Sequence, residues 1–126
     1  MDNKTILLLY LEDNIIIREY IKIQLKEKHF NVIESKSIEE AIEYFKEKEK
    51  EIDLIIIDID MGIIVNVDFI NEIRNINIKI PIIGLTYSDA NVETEKLKIQ
   101  EIINRELNID KLVKIIKYYV KLYRRK

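Results

Sequence analysis

Short unbroken apolar runs alternate along this chain with stretches whose apolar residues recur every three or four positions. The unbroken runs predict strands covered on both faces, and the recurrent ones predict amphipathic helices. Ile6 to Leu11 is the first such strand, ending at Glu12-Asp13-Asn14. From Ile15 to Lys28, the residues Ile17, Ile21 and Leu25 mark one helix face. Phe30 to Glu34 is a short second strand. Ser37 begins a second helix, with Glu40 placed to complete a capping box and Ile38, Ala41, Ile42 and Phe45 facing inward. The charged run from Lys46 to Glu51 is a solvated helix end.

The third strand lies in Asp53 to Gly62, D-L-I-I-I-D-I-D-M-G, where apolar residues 54–57 run straight into Asp58. A loop from Gly62 to Asn66 should follow, then a helix from Val67 to Arg74 with Phe69, Ile70 and Ile73 inside. Pro81 opens a fourth apolar run that stops at Thr86, and Ser88 to Lys98 reads as a short polar helix. Glu101 to Asn104 is the fifth strand and Asp110 to Tyr123 the last helix, with Leu112, Ile116, Tyr119 and Tyr123 on its inner stripe. Strand and helix alternate throughout, which predicts an α/β fold with a parallel sheet between two helical layers.

Composition narrows the function. The 126 residues, 48% hydrophobic and 35% charged, suit one globular domain over residues 1–126. A net charge of −2 gives no drive toward nucleic acid or anionic membrane. With no cysteine, thiol catalysis and cysteine-bound metal are excluded. No signal-peptide core or bilayer-length apolar run is present, so a cytoplasmic location is expected.

The chemistry sits where the apolar runs stop. In an open parallel sheet, ligands bind outside the C-terminal strand ends. Three of those ends carry Glu12-Asp13, Asp58 and Thr86. Carboxylates brought together there repel unless a cation or a proton intervenes. A hard divalent ion with oxygen ligands resolves the repulsion, and magnesium fits best, held by Glu12, Asp13 and Asp58. Asp58 would then be placed to attack a phosphoryl group, with Thr86 donating a hydrogen bond to a phosphoryl oxygen.

On these residues, the D-L-I-I-I-D phrase with Met61, and the 45 positions from Asp13 to Asp58, the chain resembles the receiver domains of two-component response regulators. The resemblance covers essentially the whole chain. It implies a flavodoxin-like sandwich with strand order 2-1-3-4-5 and five helices. It implies transfer of a phosphoryl group onto Asp58 from a sensor histidine kinase or phosphotransfer protein, with Mg2+ held by Glu12, Asp13, Asp58 and a backbone carbonyl at Asp60. It further implies signalling to a downstream protein through the fourth helix, fifth strand and last helix, and leaves homodimerisation open.

The chain departs from the family's pattern at several positions. Arg105 stands where the family has lysine, and Glu106 where it has proline. Arginine keeps the charge but not the point-like ammonium. Ile102 occupies the switch-aromatic position, Tyr87 follows Thr86 in place of a small residue, and Gly62 replaces a common proline. Asn66 stands where the loop usually has glycine, and Asp60 adds charge at the rim. The segment from Thr86 to Arg105 is about one helical turn short of the family's length. Two further readings stay open: a pseudo-receiver that only binds partners, and a haloacid-dehalogenase-like phosphatase using Asp58 as nucleophile and Asp60 as general acid. His29 is expected as an exposed turn residue. Lys114, Lys117, Lys121, Arg124 and Arg125 form an outer basic face on the last helix, solvated or docking an acidic protein rather than DNA.

Overall fold

A computed structural model describes residues 5–87, 97–104 and 108–124. Five parallel strands lie in the order β2-β1-β3-β4-β5: β1 Leu7–Leu11, β2 Asn31–Ser35, β3 Leu54–Asp58, β4 Ile82–Thr86 and β5 Glu101–Asn104. Four α-helices are present among the described residues: α1 Ile15–Glu27, α2 Ile38–Lys48, α3 Ile63–Ile76 and α4 Ile109–Arg124. The expected helix over 88–98 lies outside the described residues except for its last two positions.

Strand parity divides the core in two. Leu9, Leu11, Ile55, Ile57 and Ile82 pack with Ala41 and Phe45 of α2 and Phe69, Ile70 and Ile73 of α3. Leu8, Tyr10, Leu54, Ile56, Ile83 and Leu85 pack on the other face with Ile21 and Leu25 of α1 and Leu112, Ile116 and Val120 of α4. The period-two alternation sends successive strand residues to opposite layers, so an unbroken Leu/Ile run is what a doubly covered strand requires.

Helix ends follow local chemistry. Asn14 caps α1 by accepting from Ile17 N–H at 3.0 Å. At its other end His29, at φ 72°, ends the helix in a left-handed cap: His29 N–H donates to Lys26 C=O and Phe30 N–H to Leu25 C=O. Ser37 Oγ accepts from Glu40 N–H at 3.2 Å, as the cap predicts, while the Glu40 carboxylate reaches Lys36 N–H rather than that of Ser37.

One boundary differs from expectation. The residues assigned to a loop, 63–66, already belong to α3. Gly62, at φ 120° and ψ 143°, makes the turn in a region that L-residues with a Cβ rarely enter, which also explains why proline is absent there. Asn66, expected in that loop, is therefore helical and buried. Its Nδ2 donates to Ile59 C=O at 2.7 Å, fastening α3 to the short 3-10 turn Ile59–Met61 that follows β3.

Candidate functional site

The sheet register builds the site. Leu11 pairs with Ile57, so Glu12 and Asp58, the next residues on two central strands, come level at the C-terminal edge. Asp58 pairs with Leu85, which puts Thr86 one step beyond on the adjoining strand. Ligand atoms of Glu12, Asp13 and Asp58 all lie within 4.8 Å of one another. Glu12 and Asp58 are buried and Asp13 is exposed. At that separation two ionised buried carboxylates repel by roughly 3 kcal/mol at an effective dielectric of about 20. An oxygen-liganded divalent cation would offset that repulsion, and the exposed third carboxylate would give it an approach from solvent.

The two buried acids, Glu12 and Asp58, are anchored. Glu12 takes weak hydrogen bonds from Tyr10 Oη at 3.4 Å and Asn14 N–H at 3.3 Å. Its carbonyl accepts from Arg18 Nη1 at 2.8 Å. Arg18 is buried on α1, and its Nε pairs with Glu34 on β2 at 3.3 Å. Lys22 pairs with the other Glu34 oxygen, and this ammonium holds the Glu34 carboxyl below its ordinary range. Glu19 and Glu34 in turn raise Lys22 above the usual lysine range. Arg18 was not among the residues singled out from sequence, although it shares the inner face of α1 with Ile21 and Leu25 three and seven positions on.

Asp58 Oδ1 accepts from Asp60 N–H at 2.9 Å, closing the 3-10 turn. The Asp60 side chain crosses to the next strand end. Thr86 Oγ1 donates to Asp60 Oδ1 at 2.7 Å, and Tyr87 N–H donates to Asp60 Oδ2 at 2.9 Å. Sequence separation hid this contact, since Asp60 and Thr86 stand 26 positions apart. Arg105 and Glu106 lie outside the described residues. Ile102 is half-buried on β5 against the α2/α3 layer, and Tyr87 is exposed. His29 is an exposed turn residue away from this edge, as expected. No helix among the described residues is long and apolar enough to cross a membrane.

Comparison with known proteins places the architecture. The family model of the response regulator receiver domain matches residues 8–117. No curated protein is similar enough to count as a match. A receiver domain protein from Clostridium thermocellum superposes with a TM-score of 0.84 at 23% identity, covering 94% of this chain and 97% of the other. The response regulator TrrA from Thermotoga maritima, solved in complex with Mg(2+)-BeF, gives a TM-score of 0.78 at 27% identity, over 91% of this chain and 99% of its own. The receiver domain of the Saccharomyces cerevisiae response regulator Ssk1, co-crystallised with the histidine phosphotransfer protein Ypd1, gives 0.78 at 19% identity, over 94% and 90%. Matched along most of its length and built on the same five-stranded sheet, the chain belongs to the response regulator receiver domain family of two-component signalling.

Proposed function

We propose that residues 1–126 act as one cytoplasmic receiver unit that accepts a phosphoryl group on Asp58 from the phosphohistidine of a kinase or phosphotransfer protein. The observation that carries this reading is the meeting of Glu12, Asp13 and Asp58 carboxylates at the C-terminal edge of the central strands. One Asp58 oxygen attacks phosphorus; the new P–O bond forms as the P–N bond to the imidazole breaks, and the imidazole nitrogen keeps the electron pair. Magnesium, when bound, would neutralise the carboxylates and the incoming phosphoryl oxygens, with Glu12, Asp13 and Asp58 as its side-chain ligands and the Asp60 carbonyl as a further oxygen. Thr86 would donate to a phosphoryl oxygen, and Arg105 would supply the cation that lysine supplies elsewhere in the family.

The Mg(2+)-BeF complex of TrrA supports the metal assignment by likeness, and the Ssk1–Ypd1 complex supports a phosphotransfer partner. The outer face of α1 would add a surface for such a partner: Ile15, Ile16, Tyr20 and Ile23 are all more than half exposed, and Tyr20 shares a cleft with the rim residue Tyr87. A downstream target would read the β5 and α4 face. The phosphatase alternative is weakened by Asp60, whose two oxygens both accept hydrogen bonds, an arrangement suited to an ionised acceptor rather than a proton donor.

Incubation with acetyl phosphate and magnesium should raise the intact mass by one phosphoryl group. Asp58→Asn, or chelation of the metal, should abolish the gain. Absence of both the mass gain and magnesium binding in the wild-type chain would overturn the proposal and leave a partner-binding pseudo-receiver. Sustained hydrolysis of a phosphomonoester, lost in Asp60→Asn, would favour the phosphatase.

A further inference from the structure

We infer that Asp60 is a resting-state latch on the receiver switch, a positioning residue that holds the Thr86 hydroxyl at the end of β4, together with the Tyr87 N–H just beyond it, away from a phosphoryl group on Asp58. The inference rests on Asp58 being the phosphoacceptor. Asp60 touches both sides of the site at once. Its N–H caps Asp58 Oδ1, and its carboxylate takes Thr86 Oγ1–H and Tyr87 N–H, one on each oxygen. A threonine hydroxyl has one proton to give, and so has a backbone amide. While these protons point at Asp60, neither is directed at a phosphoryl oxygen on Asp58.

Phosphorylation would bring three strong acceptor oxygens to the level of Leu85, which pairs with Asp58, one residue short of Thr86. Thr86 must then leave Asp60 to reach them. The carboxylate it leaves would sit beside a phosphoryl group of the same sign, which raises the threshold further. Asp60 therefore opposes the switched state twice, by retaining the donors and by its charge. The geometry is prepared from behind: Ile59 folds over Gly84, and Asn66 grips the Ile59 carbonyl, which fixes the turn that aims Asp60 at β4.

The two contributions separate in a double-mutant cycle read with beryllofluoride, which mimics a phosphoryl group on a carboxylate. The full chain is titrated with beryllofluoride in excess magnesium, following the Tyr87 amide resonance, for wild type, Asp60→Ala, Thr86→Ala and the double variant. Asp60→Ala should tighten apparent binding about tenfold, the scale of a lost charge-assisted hydrogen bond. In the Thr86→Ala background the gain should shrink to about threefold or less, because one latched donor is already gone. Asp60→Asn, which keeps an acceptor for Thr86 but can meet the Tyr87 N–H with its own amide donors, should lie between. An equal gain in both backgrounds assigns the effect to charge alone and overturns the latch, as does no gain with wild-type binding intact. Failure of the wild-type chain to bind beryllofluoride or to take a phosphoryl group from acetyl phosphate overturns the phosphoacceptor reading itself, and the latch with it.

Discussion

Glycine is needed at position 84 because of Ile59. A Cβ built there would lie 2.5 Å from Ile59 Cγ1 and 2.6 Å from Cδ1, closer than carbon atoms approach one another. Gly84→Ala should therefore cost about 1–3 kcal/mol, the usual penalty of forced overpacking, measured by urea unfolding. Ile59→Ala removes both offending atoms, so the double variant should be more stable than the sum of the single changes allows, by about 1 kcal/mol or more. Simple additivity would show that Ile59 is not what excludes a side chain from β4. Ile59 follows the end of β3 and Gly84 lies in the middle of β4, and nothing in their local sequence joins them. The same holds for Asp60 and Thr86. Glu12, Asp13, Asp58 and Thr86, by contrast, were legible because each falls where an unbroken apolar run stops, and parallel topology sends all those stops to one edge.

At the level of elements, the strands and the inner helix faces could be read from period alone. The start of α3 could not. The residues after Gly62 are β-branched and carry no side-chain cap, so they look like a loop, yet the glycine turn and the Asn66 bond to Ile59 begin the helix at once. On α4 the expected inner stripe gains Val120 and holds Tyr119 and Tyr123 only half-buried. Tyr119 Oη donates to Glu101 on β5 at 2.8 Å, so this tyrosine joins the helix to the edge strand. Burial, then the Glu101 carboxylate, push its phenol up to about 12. The unfolded phenol loses its proton near pH 10, before the folded one does. The contribution of the bond is thus fully present below pH 10 and is lost as pH rises from about 10 to about 12. The stability difference between wild type and Tyr119→Phe should shrink across that window, with the other titrating groups cancelling between the two proteins. A difference that stays constant with pH would show that Tyr119 does not favour its protonated form on folding.

Across the whole molecule, the two ends of the sheet are built in opposite ways. The C-terminal edge gathers the Glu12, Asp13 and Asp58 carboxylates within 4.8 Å of one another, like charges whose repulsion a bound cation would offset. The opposite edge is fastened by arginines with matched acceptors. Arg74, whose guanidinium burial pulls below the usual arginine range, donates to the carbonyls of Asn77, Ile80 and Lys98, tying α3 to the entries of β4 and β5. Arg124, expected on the outer basic face of the last helix, instead turns in. Its Nε and Nη2 meet the two oxygens of Asp53 at 2.9 and 2.8 Å, while Asp53 Oδ2 also accepts from Leu7 N–H at 2.9 Å. Lys114, Lys117 and Lys121 remain exposed. One fork thus joins the last helix to the starts of the first and third strands, residues 71 apart in sequence. Both side chains are mostly shielded from water, so the pair should be screened little by salt. Arg124→Ala should cost about 1.5–3 kcal/mol of unfolding free energy, the range for hydrogen bonds to charged partners. Arg124→Lys should recover only part of it, because an ammonium cannot engage both oxygens in the same plane. Since this fork lies at the far end of the strands from Asp58, neither variant should change the mass gained from acetyl phosphate under folding conditions. A fall in that gain without a fall in stability would mean that the fastened edge also governs the acidic one.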